Sequence, residues 1–191
     1  MSRVATAFAA AVALFLPIGR PLLVGLTPAV GIGAGLLTTQ AAYAQNATDL
    51  YNSGLDKAKS GNLKGAIADW TKAIEIYPNY ALAYYNRGLA KRKLDDFKGA
   101  IADYTKAIKI NPSYARAYNN RGNSKHYLKD YQAAISDYTK AIKIDPNDAD
   151  YYYNRGNSKS ELGDLKGACT DWRKAAELGD TDAAEFVRDQ C

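Results

Sequence analysis

Arg87, Arg121 and Arg155 stand 34 residues apart, and so do Asp69, Asp103, Asp137 and Asp171. Guanidinium and carboxylate at matched intervals point to bidentate, charge-assisted pairing rather than to catalysis. Ser53 occupies the place where the arginine series would begin. Pairs between the aspartate of one interval and the arginine of the next are therefore expected: Asp69 with Arg87, Asp103 with Arg121, Asp137 with Arg155, and Asp171 with Arg188 near the C-terminus. A third series at the same interval, Asn52, Asn86, Asn120 and Asn154, offers amides that both donate and accept hydrogen bonds. Reactive chemistry is sparse. His126 is the single histidine, and Cys169 and Cys191 are the two cysteines, a spacing that gives no metal-ligand set, so no metal or cofactor is expected. There is no Ser-His-Asp set, carboxylate pair in a pocket or glycine-rich phosphate loop, and the chain is not expected to be an enzyme. Hydrogen bonding or stacking with Tyr127 is the expected role of His126.

What positions these residues is an internal repeat. Gly-Ala-Ile-Ala-Asp at 65–69 recurs at 99–103, and four copies follow one another without a gap, at 47–80, 81–114, 115–148 and 149–182. Such strictness marks a repeat architecture. The eighth place of each copy is glycine (54, 88, 122, 156) and the twentieth is alanine (66, 100, 134, 168), small residues that let helices approach closely. Opposite them stand large ones, Trp70, Tyr104, Tyr138 and Trp172 at the twenty-fourth place. Apolar residues at 63, 66, 67, 70, 73 and 74 fall at helical spacing, so each copy holds two amphipathic helices. Gly61-Asn62, Asp95-Asp96, Lys129-Asp130 and Gly163-Asp164 supply the turns between them, and Pro78, Pro112 and Pro146 end the second helix.

This alternation of small and large residues over 34 positions resembles the tetratricopeptide repeat, and the resemblance covers residues 47–182. It implies an all-α fold, a right-handed superhelix or α-solenoid of four helix pairs whose first helices line a concave groove. Groove-facing places in that family implicate Asn52, Asn86, Asn120 and Asn154, an amide ladder suited to the backbone of an extended peptide. Tyr51, Tyr85 and Tyr153 flank it, with Asn119, Asn123 and Asn157 as further polar contacts. Lys59, Arg92, Lys93 and Arg116 make the first three copies cationic, whereas Asp150 and Glu161 fall in the fourth, so a partner with an acidic segment toward the first copies is expected. The family's clamp for acidic carboxyl-terminal tails needs Lys and Asn at the fifth and ninth places of one copy. Here those places hold Tyr51 and Leu55, or Tyr85 and Leu89, and the clamp does not carry over.

The fourth copy departs from the others: Cys169 and Ala176 replace isoleucines, and Gly179-Asp180 replaces the proline turn. Residues 183–191 follow as a short capping helix, and the two smaller residues make room for its Phe186 or Val187. Cys169 and Cys191 lie at equal distances on either side of Asp180, hence at equal height in an antiparallel helix pair. A disulfide between them is expected, closing a loop worth roughly 3 kcal/mol.

The first 44 residues contain no acid, and Arg3 and Arg20 are their only charges. Arg20, the apolar run from Leu22 to Leu37 and Ala42-Tyr43-Ala44 form a signal sequence with cleavage expected after Ala44. A second apolar run, Val4 to Ile18, leaves two alternatives open: retention as a membrane anchor, or a true start further along. The protein is expected in the periplasm or another extracytoplasmic compartment. The formal charge of +5 includes both leader arginines, and the remaining excess is too evenly mixed with acid for a nucleic-acid binder. The function expected is that of an exported scaffold holding a peptide or partner protein in its groove. The alternative is a homo-oligomer in which one copy's groove receives another's end.

Overall fold

The computed structural model describes the backbone of residues 32–191 and side chains from Gln45 onward. Among the described residues there are nine α-helices and no strand. They are α1 (Ile32–Lys59), α2 (Leu63–Ile76), α3 (Ala81–Lys93), α4 (Phe97–Ile110), α5 (Ala115–Tyr127), α6 (Tyr131–Ile144), α7 (Ala149–Glu161), α8 (Leu165–Glu177) and α9 (Thr181–Gln190). Each odd helix pairs with the next even one, and consecutive pairs stack. Most of the expected leader, 1–31, lies outside the described residues. Its last part, from Ile32, is helical and runs without a break into the first repeat, so α1 is 28 residues long. Among the described residues no helix is long and apolar enough to cross a membrane.

The turns inside each pair follow one recipe. Gly61 and Gly163 take a positive φ, and Asp95 and Lys129 adopt the same left-handed conformation in the two middle copies. The next residue caps the second helix: Asn62, Asp96, Asp130 and Asp164 accept from the backbone N–H of Gly65, Gly99, Ala133 and Gly167. The pairs then close on the small residues. A Cβ on Gly122 would stand 2.7 Å from the Tyr138 ring, and one on Gly54 2.5 Å from the Trp70 indole, so glycine is what lets the aromatic residue lie flat. Ala66, Ala100, Ala134 and Ala168 are fully buried on the facing helix.

The cap begins at Thr181, two residues before the expected start, because Asp180 accepts from the Ala183 N–H and opens the helix there. Phe186 stacks on Trp172 with centroids 5.0 Å apart and lies 5.9 Å from Tyr153. Cys169, Ala176 and Val187 belong to the same cluster. Cys169 and Cys191 are brought together as a pair with Cα atoms 5.7 Å apart.

Candidate binding groove

First helices of successive repeats lie side by side, α3 on α5 and α5 on α7, and so form the inner face of the stack. What holds that face in shape differs from the expected ion pairing. Arg87 donates from Nε and Nη2 to Asp103 of its own repeat at 2.9 and 2.7 Å. Arg121 holds Asp137 in the same way at 2.9 and 2.6 Å, and Arg155 holds Asp171 at 2.8 and 2.7 Å. The expected partners Asp69–Arg87, Asp103–Arg121, Asp137–Arg155 and Asp171–Arg188 are therefore each displaced by one repeat; Arg188 bonds its neighbour Asp189 instead. The reason is geometric. The arginine and the aspartate stand eight places before and eight after the turn residue of their repeat, so an antiparallel pair puts them at equal height.

The arginines do reach the preceding repeat, through a hydroxyl rather than a carboxylate. Nη1 of Arg87, Arg121 and Arg155 donates to Thr71, Thr105 and Thr139. Each aspartate also meets a lysine four places after its arginine: Lys91, Lys125 and Lys159 lie 2.7–2.8 Å from Asp103, Asp137 and Asp171. In the first repeat, Ser53 and Lys57 take over at 2.6 Å from Asp69. Burial would raise the Asp69 carboxyl, but the Lys57 and Ser53 hydrogen bonds and the nearby lysine charges outweigh it and hold the group below the usual carboxylate range. A lysine at this place in all four copies was visible in the sequence and marks the role.

The asparagine ladder is tied up along the same stack. Asn86 donates to the Tyr51 hydroxyl at 2.8 Å, Asn120 to the Tyr85 hydroxyl at 3.0 Å, and Asn154 to Asn119 at 3.1 Å. Each amide thus fastens its repeat to the one before, while Asn52, with no repeat before it, is exposed. Tyr51 and Tyr85 also lie against Tyr80 and Tyr114 at 4.9 and 4.7 Å. Asn119 is buried rather than presented to a ligand. Asn123 and Asn157 accept from Tyr138 Oη and Trp172 Nε1. In the second repeat Leu89 stands where they would, and the buried Tyr104 hydroxyl, with Arg92 beside it, makes no well-formed hydrogen bond.

Two cavities open on this inner face. One, of about 280 Å³, lies between the first two repeats and is lined by Leu55, Leu63, Trp70 and Leu89, with Asn86, Lys59 and Lys93 at its edge. The other, of about 400 Å³, gathers Arg92, Asn123, Asn154 and Asn157 with His126, Lys129 and three tyrosines. His126 Nδ1 meets Ser158 at 2.8 Å, and its ring stands edge-on to Tyr131 at 5.1 Å, nearer than the expected partner Tyr127 at 6.4 Å. Tyr127 meets His126 edge-on and also stacks on Phe97. Burial lowers the His126 pKa, opposed by the Glu161 charge. Arg116 is exposed and stands outside both cavities, as does Tyr153, which packs against the cap. Leu55, Leu89, Trp70 and Tyr131, which the sequence did not single out as site residues, line the cavities.

Tetratricopeptide-repeat profiles match residues 81–114 and 115–148, and related repeat profiles match 54–95 and 137–170. The chain belongs to the tetratricopeptide-repeat family. No curated protein matches it by sequence. Among solved structures, a crystal structure of MamA is similar at 26% identity and a TM-score of 0.69, covering 82% of this chain and 99% of that one. MamA residues 41 to the end from Desulfovibrio magneticus RS-1 share the fold at 24% identity and a TM-score of 0.66, covering 75% and 84%. The first tetratricopeptide-repeat domain of Spaghetti (RPAP3), solved with the HSP90 peptide SRMEEVD, is similar at 28% identity and a TM-score of 0.62, covering 63% and 95%.

Proposed function

We propose that this chain is an exported, non-enzymatic scaffold whose concave face holds an extended segment of a partner polypeptide. The observation that carries the reading is the pair of adjoining cavities on the first helices, one apolar and one rich in amides and cations. Side chains enter such pockets while the backbone runs along the helices between them. The positive charge of Lys59, Arg92 and Lys93 on their linings, with the exposed Arg116 outside them, favours a segment carrying acid. A peptide-bound relative, the Spaghetti domain with SRMEEVD, supports binding by this fold. The leader ending in Ala-Tyr-Ala and the Cys169–Cys191 pair support an oxidising compartment outside the cytoplasm, where the cross-link persists.

Affinity capture from the extracytoplasmic fraction of the native cells tests the proposal. Wild type is compared with Lys93→Glu/Arg116→Glu on the inner face and with Lys72→Glu/Lys106→Glu on the second helices. A protein kept by wild type and by the second-helix variant but lost from the inner-face variant is the expected result. Loss from the second-helix variant alone, or retention by all three, would move binding off the groove.

A further inference from the structure

Arg92 is the one arginine of the inner face that is drawn inward without a counter-ion. Arg87, Arg121 and Arg155 each hold an aspartate, and Arg116 is exposed. Arg92 is half-buried and, among the described residues, forms no ion pair; its Nε lies buried without an acceptor, and its polar neighbour is the Tyr104 hydroxyl, a neutral group. Folding proteins withdraw a cation from water when something compensates it, and no carboxylate among the described residues does so here. The charge of Glu161 acts on His126 and Tyr131, which line the same cavity. Around Arg92 stand the phenols of Tyr85, Tyr104 and Tyr138, which feel its positive charge and are neutral at physiological pH. The cavity is further lined by the amides of Asn123, Asn154 and Asn157, by His126, Tyr127 and Tyr131, and by a second cation, Lys129. Asn123 and Asn157 use their oxygens on Tyr138 and Trp172, so their N–H₂ ends are the part left to donate.

Arg92 and Leu89 belong to the same helix, α3, and line the two different cavities. Leu89, with Leu55, Leu63 and Trp70, gives an apolar pocket; Arg92 gives a cationic one rich in donors.

We propose that the larger cavity is a subsite for a carboxylate side chain, anchored by Arg92, and that the smaller one takes an apolar side chain of the same partner segment, the segment crossing α3 between them. This rests on the groove being the binding face and specifies what it selects: an internal acidic residue at a fixed spacing from an apolar one. It differs from capture of a carboxyl-terminal tail, because the fifth and ninth places that a tail clamp uses are Tyr51, Leu55, Tyr85 and Leu89.

Panning a random dodecapeptide display library on the purified chain and on Arg92→Leu, Arg92→Lys, Leu89→Gln and the exposed-charge control Lys98→Leu tests it. Wild type and Lys98→Leu should select peptides with an acidic residue at constant distance from an apolar one. Arg92→Leu should keep the apolar preference and lose the acidic one, Leu89→Gln the reverse. A synthetic selected peptide should bind Arg92→Leu roughly ten- to a hundredfold more weakly, the range of a charge-assisted hydrogen bond, with Arg92→Lys between. Thermal unfolding of Arg92→Leu should be no lower than that of wild type, since an uncompensated cation is removed. Should Arg92→Leu select the same acidic position while Leu89→Gln loses the peptides, the carboxylate subsite is wrong and groove binding stands. Should no peptide be selected, or selection be indifferent to every inner-face variant, groove binding falls with it. A destabilised Arg92→Leu with unchanged affinity at Arg92→Lys would make Arg92 a structural group and overturn the assignment.

Discussion

Arg121 clasps Asp137 within a single repeat, Nε and Nη2 on one carboxylate, while its third nitrogen reaches Thr105 of the repeat before. Lys125 supplies a second cation to the same carboxylate at 2.8 Å, and the Asp137 side chain is 5% exposed. Removing the acid strands two cations against a helix interface.

Asp137→Ala is expected to lower stability by about 3 kcal/mol, toward the range for breaking a buried ion pair. Asp69→Ala, whose one cationic partner Lys57 is 40% exposed, should cost only about 1 kcal/mol. Urea midpoints of the two variants, measured side by side, check the order; equal losses would mean that the arginine fork adds nothing.

Acid should weaken the first repeat in a defined direction. The folded-state pKa of Asp69 lies below its unfolded value. Its contribution to stability is therefore complete above the unfolded value of about 3.9 and is lost as pH falls through the folded one. The stability difference between wild type and Asp69→Asn should be constant near neutrality and shrink as pH drops below about 4. A difference that grows on acidification would contradict the sign.

Two phenols at the same place in neighbouring repeats should respond oppositely to loss of the hydroxyl. Tyr138→Phe deletes the bond to Asn123 and should cost about 1 kcal/mol. Tyr104→Phe removes a buried hydroxyl that lies beside Arg92 without a well-formed hydrogen bond and should be neutral or stabilising. Thermal midpoints of the pair decide it.

The cap should be redox-sensitive. Reduction, or Cys191→Ser, should destabilise the chain by roughly 3 kcal/mol for a separation of 22 residues. Reductant should bring wild type down to the level of Cys191→Ser and leave that variant unchanged. If reductant shifts both alike, the loss does not come from this pair.

The helices, their turns and the cap were legible because the 34-residue period repeats every local signal four times. Asn62, Asp96, Asp130 and Asp164 each begin a helix where the turn dipeptide says so. Mirror symmetry about a turn located Cys191 opposite Cys169, and the same symmetry applied to Arg87 and Asp103 would have placed them in one repeat. The absence of an arginine at Ser53 pointed the other way, whereas Lys57 and Ser53 itself were the substitutes. The asparagine ladder was readable as a series but not as a bond pattern, because its partners Tyr51, Tyr85 and Asn119 lie one full repeat away. The change from Asn123 to Leu89 at one place shows its effect only once Tyr104 and Arg92 are set beside it.

Site-specific photo-crosslinking in the native cells tests groove binding most directly. A photoreactive amino acid in place of Leu89, on the inner face, should capture a partner polypeptide, and one in place of the exposed Lys106 on α4 should not. Capture from Lys106 with none from Leu89 would put the partner on the second helices and contradict the account.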